Sequence, residues 1–253
     1  MRRHLAGALA FLILAAVATI VSLTARGEGF WEKKGWKEWS KDDVRKMLQD
    51  SPWAKKYSTG KSIVSRGLPS ETGAAQRGAA GDDREEIVYY VELMSALPVR
   101  EALVRQEQLN KKYDKMTEEE KKSFDADAKT TLEHEYESEI VVHVIYSSNI
   151  QRFERALAVD WQSVPADSIP TDVFIITPRS DHVGPVRFIS PKSGRLEFEL
   201  VFPRMFNGEP TIRDGDKSFE IEFPNPAVGD LPRTRGLVEF HTDKMAFNGK
   251  LTY

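Results

Sequence analysis

The sequence predicts an α+β protein. It reads as an antiparallel β-sandwich of about eight strands, Ig-like in architecture, with an inserted αα-hairpin and a short helical N-terminal segment. Three observations predict this. Apolar and polar residues alternate in short runs through the second half, as in Leu196-Glu-Phe-Glu-Leu-Val-Phe202 and Phe219-Glu-Ile-Glu-Phe223. Such alternation implies one buried face and one solvated face, the pattern of antiparallel sheets. Turn formers separate the runs, and Asp214-Gly215 and Asn248-Gly249 match type I′ hairpin turns. Two helical patterns, one of them opened by a capping box, lie between the first two strand-like runs.

Taken in order, residues 1–25 read as a targeting segment. Met1-Arg-Arg-His4 is basic, and the run from Leu5 to Leu23 carries no charge. This is the layout of a secretory signal, and Ala16-Val-Ala18 fits the small-residue cleavage rule. The run is also long enough to serve as an N-terminal anchor with Arg2 and Arg3 inside. Both readings place the rest of the chain outside the cytoplasm, periplasmic or extracellular, either released or anchored by residues 5–23.

Residues 26–65 form a tryptophan-rich segment with a short helix. It holds Trp31, Trp36, Trp39 and Trp53, with lysines interleaved. Ser40 and Asp43 have the spacing of a capping box, and Val44, Met47 and Leu48 follow at helical spacing. Ser51-Pro52 ends the helix, because proline disfavours helical geometry in the residue before it. Residues 66–84 contain one large apolar side chain, Leu68, and read as a flexible linker.

Residues 85–253 read as the sandwich domain, with the helical hairpin at about 98–137. Ile87–Met94 is rich in β-branched and aromatic residues. Pro98 stands near the first helical position, where its missing N–H costs nothing. Val99, Ala102, Leu103, Leu109 and Tyr113 give that helix an apolar stripe. Thr117 and Glu120 form a second capping box, and Phe124, Ala128, Leu132 and Tyr136 mark the apolar face that follows. Strands are expected at Ile140–Tyr146, Asp172–Thr177, Val186–Ser190, Leu196–Phe202, Phe219–Phe223, Leu237–His241 and around Asn248-Gly249. Asn149 is placed to cap a short helix carrying Ile150, Phe153 and Leu157. Pro203, Pro224 and Pro226 are read as strand ends.

Bulk composition removes several functions. The net charge is −3 with pI near 6.0, which argues against nucleic-acid binding. There is no cysteine, so disulfides, thiol nucleophiles and thiolate metal sites are excluded.

The motifs that resemble chemistry fall short. Thr59-Gly-Lys-Ser62 ends like a phosphate loop, but Lys55 stands where the first glycine belongs. It reads as a polar turn, and no nucleotide is expected. His134-Glu-Tyr-Glu-Ser138 lacks the second histidine of a zinc helix. Asp181-His182 adjoin in sequence, which does not orient a histidine. Asp214-Gly-Asp216 lacks the spacing of a calcium loop. No catalytic residue, metal or cofactor is therefore assigned. The residues with a claim to binding are Trp31, Trp36, Trp39 and Trp53, whose rings suit a membrane surface, a sugar or a protein groove. The competing reading is that they pack onto the sandwich.

Asp50-Ser-Pro-Trp-Ala54, Ser95-Ala-Leu-Pro-Val-Arg-Glu-Ala102, Phe202-Pro-Arg204 and Phe247-Asn-Gly-Lys-Leu-Thr-Tyr253, together with the exported start, resemble a family of uncharacterised exported bacterial proteins. The resemblance implies a bacterial source and carries no activity. The expectation is a non-enzymatic structural or binding module of the cell envelope, with a protein or glycan partner and membrane contact through its N-terminal segment. The alternatives are an envelope hydrolase built on His143, His182 or His241, and a membrane-tethered scaffold.

Overall fold

The computed structural model describes residues 29–61, 85–164, 171–179, 181–192 and 194–253. The targeting segment expected at 1–25 and the linker expected at 66–84 lie outside them. The described part opens with α1 (Phe30–Lys33), a 3-10 turn at Trp36–Glu38, and α2 (Lys41–Gln49). There follow β1 (Asp50–Ser51), β2 (Ala54–Lys61) and β3 (Glu85–Leu93). The helical hairpin is α3 (Leu97–Lys111), a 3-10 turn at Tyr113–Lys115, and α4 (Glu118–Glu133). Next come β4 (Glu139–Ser148), α5 (Gln151–Gln162), β5 (Phe174–Ile176), β6 (His182–Val183), β7 (Arg187–Ile189) and β8 (Glu197–Pro203). The last elements are β9 (Met205–Phe206), β10 (Glu209–Pro210), β11 (Ser218–Asn225), β12 (Thr234–His241), β13 (Ala246–Phe247) and β14 (Lys250–Leu251).

Helix and sheet are mixed, and every ladder is antiparallel. One sheet has the order β1-β2-β3-β4-β8-β7 and a second β12-β11-β5-β6; β9–β10 and β13–β14 are separate ribbons. The two main sheets share a single apolar core with α2 and α5. Phe223 of β11 meets Tyr89 and Tyr57 at ring separations of 5.1 and 6.0 Å. Trp161 of α5 stacks on Phe198 of β8 at 4.1 Å. Gly236 on β12 allows this approach, since a Cβ there would sit 3.0 Å from Phe223 and 3.2 Å from Tyr57.

Both capping boxes form. Asp43 N–H donates to Ser40 Oγ, and Glu120 N–H to Thr117 Oγ1, each carboxylate returning a bond to its cap residue. Val44, Met47 and Leu48 are buried. The helical hairpin leaves from the end of β3 and returns at the start of β4, which pair directly at Leu93 and Val142.

Several expectations are corrected. The Thr59-Gly-Lys segment is not a turn. It lies in β2, which pairs with β3 from Ala54–Glu92 to Lys61–Glu85. Asn149 does not cap α5; Ile150 holds that position, and Asn149 Oδ1 instead accepts from Glu86 N–H at 3.0 Å. At Asp214-Gly215 only the glycine has a positive φ, and the turn leads from β10 into β11 without closing a two-residue hairpin. The type I′ geometry occurs at Asn248-Gly249, as expected, and also at Asn207-Gly208 between β9 and β10. Pro224 lies within β11 rather than at its end. It is tolerated because the neighbour on one side, β5, reaches only to Glu222. The face of the large sheet away from the core is not uniformly wet, since Glu92, Val141 and Val201 are buried there.

One side chain ties the helical hairpin together. Arg100 on α3 is 6% exposed, and its Nη1 donates to the carbonyls of Thr131, Leu132 and His134 at 2.9, 3.0 and 2.7 Å. These are carbonyls that a helix end leaves without intrahelical donors. The positive charge also opposes the negative end of the α4 dipole. Replacing Arg100 with Met keeps the aliphatic volume and removes the donors. We expect a loss of about 2–3 kcal/mol, read as a fall of roughly 4–12 °C in thermal midpoint; an unchanged midpoint would dismiss this cap.

Candidate functional site

The four singled-out tryptophans do not share one environment. Trp39 and Trp53 are fully buried. Trp39 Nε1–H donates to the Lys34 carbonyl at 3.2 Å, and Trp53 Nε1–H to the Thr252 carbonyl at 2.7 Å. Trp31 meets Trp53 edge-on at 5.4 Å, and its indole lies over Gly29, leaving no room there for a Cβ. These three side chains hold the front segment on the core. Trp36 is only partly buried and faces the helical hairpin.

Trp36 forms one wall of an open cleft of about 520 Å³. Ala128 and Leu132 of α4 and Tyr113 between the helices supply further apolar surface. The rim carries both signs of charge, with Arg105 and Lys129 against Asp125 and Glu133. Several of these groups are already positioned. Arg105 Nε donates to the Trp39 carbonyl at 2.9 Å, which fixes the front segment against α3. Tyr113 Oη donates to the Asp125 carboxylate at 2.9 Å, and that bond raises the phenol's pKa. Lys37 Nζ lies 5.5 Å from the Trp36 ring centroid. An aromatic floor with a mixed polar rim can stack on a planar or sugar-like surface and hydrogen-bond at its edge.

His143 has carboxylates on both sides of its ring. The register places it on β4 between Glu92 of β3 and Glu199 of β8. Its Nδ1 lies 3.3 Å from Glu92 and its Nε2 3.5 Å from Glu197. Burial alone would lower its pKa, but the Glu92 hydrogen bond and the charges of Glu92, Glu197 and Glu199 outweigh this and hold it above 6.5. With both ring nitrogens facing carboxylates, the imidazolium satisfies both sides at once. Glu92 is 2% exposed, so this contact lies in the protein interior.

The remaining candidates are dispersed. His182 is exposed on β6, edge-on to Phe174 at 5.5 Å, while Asp181 is held by Arg179 at 3.2 Å rather than by the histidine. His241 lies 3.7 Å from Glu239 with nearly half its side chain exposed. α4 stops before His134, so His134 and Ser138 do not share a helix face. Asp216 accepts two bonds from Arg179, at 2.7 and 2.8 Å, and one from Arg213 N–H. Among the described residues, no group of three or more His, Asp or Glu is arranged to hold a metal ion. In β2, the Gly60 and Lys61 backbone is committed to a ladder and does not curl toward a phosphate. Burial pushes Glu101 on α3 up to about 7, with Arg100 opposing.

The His143 cluster gives a pH prediction. Its folded pKa is raised, so its stabilisation is fully present below about pH 6.5 and is lost as pH rises through the folded value. The stability difference between wild type and His143→Gln should therefore be largest in mild acid and shrink towards alkaline pH. Denaturant unfolding at stepped pH measures it; a difference that grows on raising pH would refute the assignment. Compared with known proteins, the chain matches no family model, no curated protein and no solved structure.

Proposed function

We propose that this chain is an exported, non-enzymatic binding or structural module of the cell envelope, whose protein or glycan partner docks in the Trp36 cleft. The observation that carries the reading is the half-covered indole of Trp36 beside a 520 Å³ opening with an apolar floor and charges of both signs at its rim. Large aromatic side chains in such settings supply much of the energy of recognition. The basic start and apolar run of residues 1–23 support export. Of the described elements, no helix is long and apolar enough to cross a membrane. We read the two main sheets as the layers of a β-sandwich, on the support of Phe223 packed against Tyr57 and Tyr89.

The alternative is an envelope hydrolase using His143. It draws on the carboxylates that orient the imidazole. Against it, both ring nitrogens face carboxylates, which leaves neither to activate a nucleophile. A tethered scaffold differs from the first reading only in whether residues 5–23 are retained.

Two measurements test the proposal. Trp36→Ala and Lys129→Glu, both in the lining of the cleft, should each weaken capture from envelope extract or co-sedimentation with purified cell-wall glycan by about tenfold, the scale of 1.4 kcal/mol. Retention equal to wild type in both would remove the cleft from the account. N-terminal sequencing of the fractionated mature protein should give a start near residue 19 or 26 if the signal is cleaved. A start at Met1 in the membrane fraction selects the scaffold, and a cytoplasmic location rejects export.

A further inference from the structure

Three tyrosines lie side by side across the interior face of the large sheet. Tyr57, Tyr89 and Tyr146 are direct cross-strand partners on β2, β3 and β4. Their ring centroids are 6.1 and 6.4 Å apart. Tyr146 lies 6.3 Å from Phe198, on which Trp161 of α5 stacks. These rings form one continuous run from β2 to α5.

Their polar atoms are treated unequally. Tyr57 Oη accepts a bond from Asn225 Nδ2 at 3.1 Å. Tyr89 and Tyr146 are 0% exposed and Trp161 is 3% exposed, yet Tyr89 Oη, Tyr146 Oη and Trp161 Nε1 bond to no group among the described residues. Asn225 Oδ1, at the far end of the run, is in the same condition. Leaving one buried donor or acceptor unmet costs about 1–3 kcal/mol, so unmet groups are rare singly and a contiguous set is rarer still. Burial raises the phenol pKa of Tyr89 and takes that of Tyr146 up to about 12, so both hydroxyls keep their protons.

We propose that the interior along the Tyr89–Tyr146–Phe198–Trp161 run is a binding site for a small neutral occupant that presents an acceptor oxygen. The indole N–H only donates, so the occupant must accept there; the two hydroxyls either donate or accept. These side chains are uncharged, and Asp160, whose charge acts on Tyr89, disfavours an anion among them. Water and a small neutral alcohol or carbonyl compound share this chemistry. The site is separate from the Trp36 cleft and does not rest on it.

The sign of a stability change tests the proposal. If the hydroxyls are met by an occupant, Tyr89→Phe and Tyr146→Phe each remove a bond and should lower the thermal midpoint by about 2–4 °C. If they are unmet, the same substitutions remove a burden and raise it, which would overturn the idea; an unchanged midpoint in both would overturn it too. Two measurements on the wild-type protein decide the occupant and do not depend on the variants folding. Oxygen-17 relaxation dispersion detects internal water that exchanges slowly, and native mass spectrometry detects a bound mass that denaturation releases. The first result assigns solvent and the second an organic molecule. Wild-type protein showing neither overturns the site whatever the variants do.

Discussion

The fold depends on how Trp53 is buried. It sits at the tight connection between β1 and β2, where Ser51 Oγ accepts from the Trp53 and Ala54 N–H groups and donates to the Met47 carbonyl. From there the indole reaches the other end of the chain. Its N–H donates to Thr252, and its ring meets Trp31 at 5.4 Å and Phe247 at 6.0 Å. Arg204 continues the fastening, with Nη2 donating to the Tyr253 carbonyl at 2.6 Å and the guanidinium over the Tyr253 ring. Truncating a buried tryptophan costs about 3–5 kcal/mol, against a whole-domain stability of about 5–15 kcal/mol. Trp53 thus links the front helices, the large sheet and the final strands at one point.

A second pattern is the placing of charge where backbone or carboxylate groups would otherwise stand alone. Arg100 answers the end of α4, Arg204 answers Tyr136 and Tyr253, and His143 answers Glu92. Lys34 does the same for Asp43. Burial raises that carboxyl, but hydrogen bonds from Lys34 and Ser40 prevail and lower it to about 2. Each cation comes from a different element than the group it serves, except in the short front segment. Such pairs contribute less through net attraction than through the penalty for separating them, so they fix which elements may lie together.

Much of this was legible in the sequence where the signal is local. The capping boxes at Ser40 and Thr117, the helical hairpin and its position between two strands, and the alternation of β8 and β11 depend on neighbours within a few residues. β2 was not legible. Lys55, Lys56, Ser58 and Thr59 surround a single aromatic, Tyr57, so the segment has no apolar period; it is a strand because β3 offers it a ladder and Phe223 covers its one ring. The tryptophans were legible as a class but not individually. Whether an indole is core or surface is set by residues such as Thr252 and Leu132, far along the chain. The same holds for His143, whose carboxylates come from strand register rather than from adjacent sequence.

The helical hairpin between β3 and β4 also bears on the order in which the molecule assembles. Closing a long loop before its contacts form is entropically costly and slows folding. Here the loop is itself a folding unit, with a capped second helix and Arg100 joining its two halves. Once formed, it delivers Leu93 and Val142 to each other as neighbours, and the long connection behaves as a short one. No such shortcut exists for Trp53 and Thr252, which lie 199 positions apart. The centre of the large sheet thus closes through local contacts, whereas the seal at Trp53 spans most of the chain.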